Sequence, residues 1–312
     1  MLQVTFLGTS ASIPTLDRNV AALAVQREGE MLLFDCGEGT QRQMMRYGVG
    51  FTLREIFFTH YHADHMLGVT GLLRTMGLQD RTAPVTLYGP KGAQKVLGAA
   101  VSLGIERNKF PVEIVEIGAG DRLRRQDYDI IVFETEHRGG TVGYALREHA
   151  RLGRFNPERA RALGIPEGPL WGDLHRGKTV TLPDGRSVEP AELVGEPRPG
   201  RALVYTGDTR PHLAVVEASR GADLLVHEAT FGGDELERAH ETGHSTASEA
   251  GRVALEAGVR RLVLTHISSR YNRDASELLA EARAVFPETL IARDGMTLDV
   301  PYADAGVAPV PG

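Results

Sequence analysis

The chain has 312 residues, 42% hydrophobic and 24% charged, and a formal net charge of −6. That length suits one large domain or two smaller ones with a core that needs no staples; the charge excludes a passive binder gripping phosphates over its whole surface, though not an enzyme with a local basic appendage. The single cysteine, Cys36, excludes an internal disulfide framework and suits a reducing compartment.

From the start, Val4-Thr5-Phe6-Leu7 reads as a strand ending at Gly8. Residues 21–25 and the apolar run 31–34 are further strand candidates, the latter ending at Asp35. Ile56-Phe57-Phe58-Thr59 is a short strand that stops at His60, and Met66, Leu67, Val69, Leu72, Leu73 and Met76 then fall at helical spacing, predicting a helix over 65–76. Val85-Thr86-Leu87-Tyr88 forms a strand ending in Gly89-Pro90, a turn pair that also opens a helix. The second half repeats the rhythm, with strands predicted at 130–133, 141–146, 202–205, 224–226 and 262–264 and helices at 247–257 and 275–286. Grouped strands with helices between them predict two sheets packed face to face with helices outside.

The stretch 148–178 breaks this rhythm. It carries Arg151, Arg154, Arg159, Arg161, Arg176 and Lys178 against four acidic residues, several Gly and Pro, and the aromatics Phe155 and Trp171. It reads as an excursion from a domain spanning 1–302, and residues 303–312 read as a disordered tail. No basic n-region followed by a long apolar stretch opens the chain, and no apolar run approaches the ~18 residues of a membrane span, so the expectation is a cytoplasmic protein with no membrane partner.

The strongest chemical signal is His60-Tyr61-His62-Ala63-Asp64-His65. In extended backbone His60 and His62 point the same way, and the turn into the helix brings Asp64 and His65 toward a second point. Two pairs at two points suit two metal ions better than one, whereas the plain alternative is a solvated histidine-rich turn. A tetrahedral zinc takes three or four protein ligands, so more must arrive from elsewhere. His137, Asp208 and His266 each follow an apolar strand, and Asp208 has two oxygens with which to bridge two cations.

The His-x-His-x-Asp-His run with a later His, Asp and His resembles the metallo-β-lactamase superfamily. Within it the chain resembles the ribonuclease Z family over nearly its whole length. That resemblance rests on Phe6-Leu7-Gly8-Thr9-Ser10, on Pro14 with Arg18-Asn19, on the run 34–41, on His227-Glu228-Ala229-Thr230-Phe231, on Gly243-His244-Ser245-Thr246 and on the run 265–271. It implies an α+β, four-layer αββα sandwich with an inserted flexible arm. It also implies two zinc ions per subunit, with manganese or cobalt as substitutes. One would sit on His60, His62 and His137, the other on Asp64, His65 and His266, with Asp208 bridging. Asp64 is further implied as proton acceptor for the attacking water, and Glu228 with His244 as the pair that protonates the leaving oxygen.

The implied reaction removes the 3′ trailer from precursor tRNA by a hydroxide generated at the metal pair, leaving a 3′-hydroxyl on the tRNA and a 5′-phosphate on the trailer. The stretch 148–178 resembles the family's tRNA-binding arm, and a homodimer is implied as well. Leu16 stands where family members that discriminate against a trailing CCA often carry Lys. Two other readings share the ligands or the fold: a hydrolase acting on small substrates, and a non-catalytic scaffold, which would be expected to have lost ligands that this chain retains.

Overall fold

The computed structural model describes residues 1–105 and 108–303; the tail expected at 303–312 lies, beyond Ala303, outside them. In chain order the first half gives β1 (Leu2–Gly8), β2 (Ala22–Arg27), β3 (Glu30–Phe34), α1 (Thr40–Arg46), β4 (Glu55–Phe57), α2 (Ala63–Met66), α3 (Gly68–Leu78), β5 (Val85–Gly89), α4 (Ala93–Ser102) and β6 (Val112–Glu116). β7 (Arg122–Arg124), β8 (Tyr128–Thr135) and β9 (Thr141–Glu148) follow. Next come α5 (Pro157–Ala162), α6 (Pro169–His175), β10 (Val180–Thr181) and β11 (Ser187–Val188). The chain finishes with β12 (Ala202–Tyr205), α7 (Leu213–Ser219), β13 (Leu224–Glu228), α8 (Leu236–Thr242), α9 (Ala247–Ala257), β14 (Leu262–Thr265), α10 (Ser276–Val285), β15 (Thr289–Ile291) and β16 (Thr297–Asp299).

The chain divides into two compact units. The larger comprises Met1–Arg147 and Ala202–Pro301 and holds two seven-stranded sheets, ordered β16-β1-β2-β3-β4-β5-β6 and β15-β14-β13-β12-β9-β8-β7. Side chains alternate along each strand with period two, so each sheet has two apolar faces to cover. Val4, Phe6, Leu23, Val25 and Phe34 from one sheet pack with Tyr128, Tyr144, Leu203, Tyr205, Val226 and Val263 from the other. The opposite face of the first sheet packs on α1, α3 and α4 through Met44, Leu72, Leu73 and Leu97. The opposite face of the second packs on α7, α9 and α10 through Val215, Val253, Ala254 and Leu278. Helix, sheet, sheet, helix is the layering expected from the sequence, and it is an α+β sandwich.

In each sheet a run of parallel strands (β3 to β6, and β12 to β15) points its carboxyl ends the same way. The loops leaving β4, β12, β13 and β14 carry His60, Asp208, Ala229 and His266. Open parallel sheets present ligands at such ends.

The helix expected over 65–76 is interrupted at Leu67. The Gly68 N–H donates to the Cys36 carbonyl at 2.9 Å instead of continuing the helical ladder. Backbones approach so closely here that a Cβ on Gly68 would lie 2.0 Å from the Gly37 carbonyl oxygen, and one on Gly37 would lie 2.2 Å from that of Asp64. Hydrophobic spacing reports the buried face of α3 but not this diversion.

The smaller unit comprises Glu148–Arg201 together with Tyr302 and Ala303. It begins where the Arg-rich stretch begins, yet it runs past Lys178, because the β10–β11 hairpin supplies half its core. Ala160, Ile165 and Leu174 pack with Val180, Leu182, Val188 and Leu193. Asn156 caps α5 by accepting from the Arg159 N–H at 2.9 Å, with Pro157 at the first helical position. At its base Arg201 and Glu148, both buried, form a two-pronged ion pair at 2.7 and 2.8 Å.

Candidate metal centre

Seven side chains expected as ligands come together. His60, His62, His137 and Asp208 form one group, and Asp64, His65 and His266 a second, with the ligand atoms of each group within 4.8 Å of one another. His62 Nδ1 lies 3.0 Å from His60 Nε2 and 3.3 Å from His137 Nε2. In the second group His65 Nε2 and His266 Nε2 are 3.3 Å apart, and Asp64 Oδ2 lies 3.6 and 3.4 Å from them. Asp208 stands between the groups. Its Oδ1 faces His65 and His266, both at 3.3 Å, and its Oδ2 faces His60 at 3.6 Å and His137 at 3.8 Å.

The tautomers can be deduced. The Thr59 hydroxyl gives its proton to Asp35, so its oxygen accepts from His60 Nδ1 at 3.0 Å. Likewise the Thr230 hydroxyl donates to Glu228 and accepts from His266 Nδ1 at 3.0 Å. His65 Nδ1 donates to Asp35 at 2.8 Å, and His137 Nδ1 to the Gly243 carbonyl at 2.7 Å. With Nδ1 committed as a donor, all four rings turn Nε2 inward, where it offers a lone pair whenever the ring is neutral. Lone pairs facing one another at 3.3 Å repel unless a cation lies among them. Zinc–nitrogen bonds of ~2.0–2.1 Å in a tetrahedron put ligand atoms about 3.3 Å apart. Asp208 Oδ1 is moreover buried with no hydrogen-bond partner. The donor set fits divalent cations.

Electrostatics divide the histidines: burial opposes charge on His65, but Asp208 and Asp35 outweigh it and raise the ring well above the ordinary imidazole value, so a cation there would displace a proton. Burial pushes His60 and His137 below the ordinary imidazole value, favouring the neutral form that ligates. Burial would raise Asp208, but His266, His65 and His60 outweigh it and hold the carboxylate well below its usual range. For Asp64 burial also pushes upward, and His266 and His65 again prevail.

Glu228 and His244 form a unit beside the ligands. Glu228 is fully buried and accepts from Thr209 N, Thr230 Oγ1 and Ser245 N at 2.8, 2.7 and 3.2 Å. His244 Nδ1 donates to its Oε1 at 2.8 Å and lies 4.0 Å from Asp208. Burial opposes charge on His244, but Glu228 outweighs it and raises the imidazole to about 9. Gly243, at φ +83°, lets His137 come close to the backbone before His244, since a Cβ there would meet His137 Nδ1 at 2.8 Å.

Sequence reasoning gave no role to Asp35, whose carboxylate takes Thr59 N, Thr59 Oγ1, Tyr205 OH and His65 Nδ1. Its position just after an apolar strand, shared with the ligands, was the available signal. The arm residues belong to the smaller unit. Arg161 pairs with Glu167, and Arg176 and Lys178 with Asp173, on exposed surface. The Arg151 guanidinium lies 3.4 Å from the ring centre of Tyr302, and Arg154 lines a groove with Phe155, Asn156 and Glu158. Arg159 is exposed.

Facing sheets with His and Asp groups at their carboxyl edges define a hydrolase of the metallo-β-lactamase fold. Two family profiles match, one described as anti-Pycsar protein Apyc1 over residues 2–147, the other as a beta-lactamase superfamily domain over 180–267. A ribonuclease Z from Gemmatimonas aurantiaca is 59% identical over 301 residues, 96% of either chain. That of Haloferax volcanii is 51% identical over 97% of this chain and 96% of its own. The short form of human tRNase Z superposes with a TM-score of 0.70 at 27% identity, covering 96% of this chain and 99% of that one. The chain belongs to the ribonuclease Z family, and so to the metal-dependent hydrolytic endoribonucleases.

Proposed function

We propose that this chain removes the 3′ trailer from precursor tRNA, using two zinc ions, for which manganese or cobalt can substitute. The carrying observation is Asp208, whose two oxygens each address a separate ligand group with His244 alongside. One cation would rest on His60, His62 and His137, the other on Asp64, His65 and His266, with Asp208 shared. Such cations, when bound, lower the pKa of a water from ~16 to about 7 and neutralise phosphate charge.

The chain's own residues supply the rest. Asp64 orients the attacking water and receives its proton. His244 carries a proton at neutral pH, fixed by its Nδ1–H bond to Glu228, and delivers one from Nε2 to the departing oxygen. Glu228 touches no reacting atom and acts by holding His244. The products are a 3′-hydroxyl on the tRNA and a 5′-phosphate on the trailer. The 148–178 stretch, within the compact unit ending at Arg201, serves as the tRNA arm, with Arg151, Arg154, Arg159, Arg161, Arg176 and Lys178 as its phosphate contacts. The working form is a cytoplasmic homodimer.

Elemental analysis together with mapping of the cut on a precursor tRNA transcript tests this reading. Two zinc ions per chain and cleavage at the 3′ end of the acceptor stem are expected. Hydrolysis of bis-p-nitrophenyl phosphate with no processing of the transcript would overturn the tRNA assignment in favour of a small-substrate hydrolase.

A further inference from the structure

The loop 9–19 leaves β1 and returns to β2 without regular structure, yet it is tied at many points. Its two ends are pinned together, since Thr9 N and Ser10 N both donate to the Asn19 carbonyl at 2.8 Å. The tip reaches the candidate metal centre, where Ser12, at φ 59°, donates its N–H to Asp64 Oδ2 at 2.8 Å. The same loop grips the residue after His266. Ala11 N donates to the Ile267 carbonyl at 2.9 Å, and Ile267 N donates back to the Thr9 carbonyl at 2.8 Å. Asp64 directly, and His266 through its neighbour Ile267, therefore lean on this loop, whereas the hydrogen bonds of His60, His62 and His137 among the described residues run elsewhere.

One carboxylate secures the loop's base. Asp294 accepts from the Thr9 hydroxyl at 2.7 Å, from Asn19 N at 2.6 Å and from Gln43 Nε2 at 2.7 Å. Arg18, itself buried, bonds the same Thr9 hydroxyl at 2.8 Å and the Ala292 carbonyl at 2.7 Å. Three donors thus converge on two oxygens. An amide in place of the carboxylate keeps one accepting oxygen for Asn19 N and Gln43 Nε2 but turns its NH2 toward the Thr9 hydroxyl, which must then give up its own donation and accept instead.

We propose that Asp294 is a positioning residue for one half of the metal centre, acting through the loop 9–19 on Asp64 and His266. The proposal rests on the two-cation reading, and it predicts that loosening Asp294 weakens one cation and spares the other. Groups that orient metal ligands typically change affinity or activity by roughly 10- to 100-fold when removed, and Asp294, one step further out, falls at the lower end, about tenfold.

The test uses the zinc-loaded protein and its Asp294→Asn and Asp294→Ala variants, with zinc release to a chelator followed in time. Wild-type protein should release two ions. Both variants should release one of them about tenfold faster, with the other unchanged and thermal stability retained in the near-isosteric Asp294→Asn. Turnover of bis-p-nitrophenyl phosphate should fall in kcat with KM held. Wild-type release kinetics for both ions in folded Asp294→Asn would overturn the proposal, as would equal acceleration of both, which marks a general loosening of the fold. Wild-type protein holding no zinc would instead sink the two-cation reading.

Discussion

His244 carries the sharpest consequence at the level of single residues. Its proton is held through neutral pH by Glu228 and lost as pH rises through about 9. If it protonates the leaving oxygen, kcat declines on the alkaline side. Glu228→Gln removes the carboxylate that raises the imidazole, so that decline should move to lower pH. A kcat–pH profile of both proteins decides this, and an unmoved alkaline limb would remove His244 from the acid role. His244→Ala should lower kcat by roughly 10²- to 10⁴-fold, the usual contribution of a positioned acid, while metal content stays unchanged. Asp35 makes the contrasting case. It touches no cation position but holds His65, so Asp35→Ala should weaken metal binding by roughly 10- to 100-fold, measurable by competition with a chelator.

Among the elements, the diverted α2–α3 junction and the base of the smaller unit carry the most weight. Glu148 and Arg201 lie 53 positions apart and meet where that unit begins and ends. Removing one partner of a buried pair leaves an uncompensated charge and costs about 3–5 kcal/mol. Arg201→Ala should therefore unfold at distinctly lower denaturant than wild type. The unit's main segment, Glu148–Arg201, has nine Lys and Arg against eight Asp and Glu, so its RNA contacts must come from local placement rather than net field. Deleting it should weaken precursor tRNA binding and flatten the salt dependence of that binding, yet spare bis-p-nitrophenyl phosphate; equal loss on both substrates would argue against an arm role. The sequence showed this unit's beginning, because composition shifts abruptly at Glu148. Its end stayed hidden, since Val180, Leu182 and Val188 resemble strand residues of the larger unit and only packing assigns them elsewhere.

For the whole molecule, what was legible followed chain-local periodicity. The strands before His60, Asp208 and His266 are apolar runs, and each stops where a ligand stands. The long-range bonds were not legible. Nothing in the residues 9–19 announces that Ser12 meets Asp64, because a backbone N–H has no sequence signature. The helix α8 was missed because it is short and mostly polar, with no sustained apolar period. Cations that bind only the folded chain stabilise it by mass action, by about 4 kcal/mol at a thousandfold excess over Kd. Chelation should accordingly lower Tm, and zinc should restore it.

Both ligand groups draw on distant parts of the chain. His60 and His62 share theirs with His137 and Asp208, and Asp64 and His65 share theirs with His266, 201 positions beyond His65. A cation in either place is thus a removable cross-link between the amino- and carboxyl-terminal halves. A nick between β6 and β7 would leave two fragments, neither owning a complete coordination set, so zinc would tighten an association that the shared apolar core already provides.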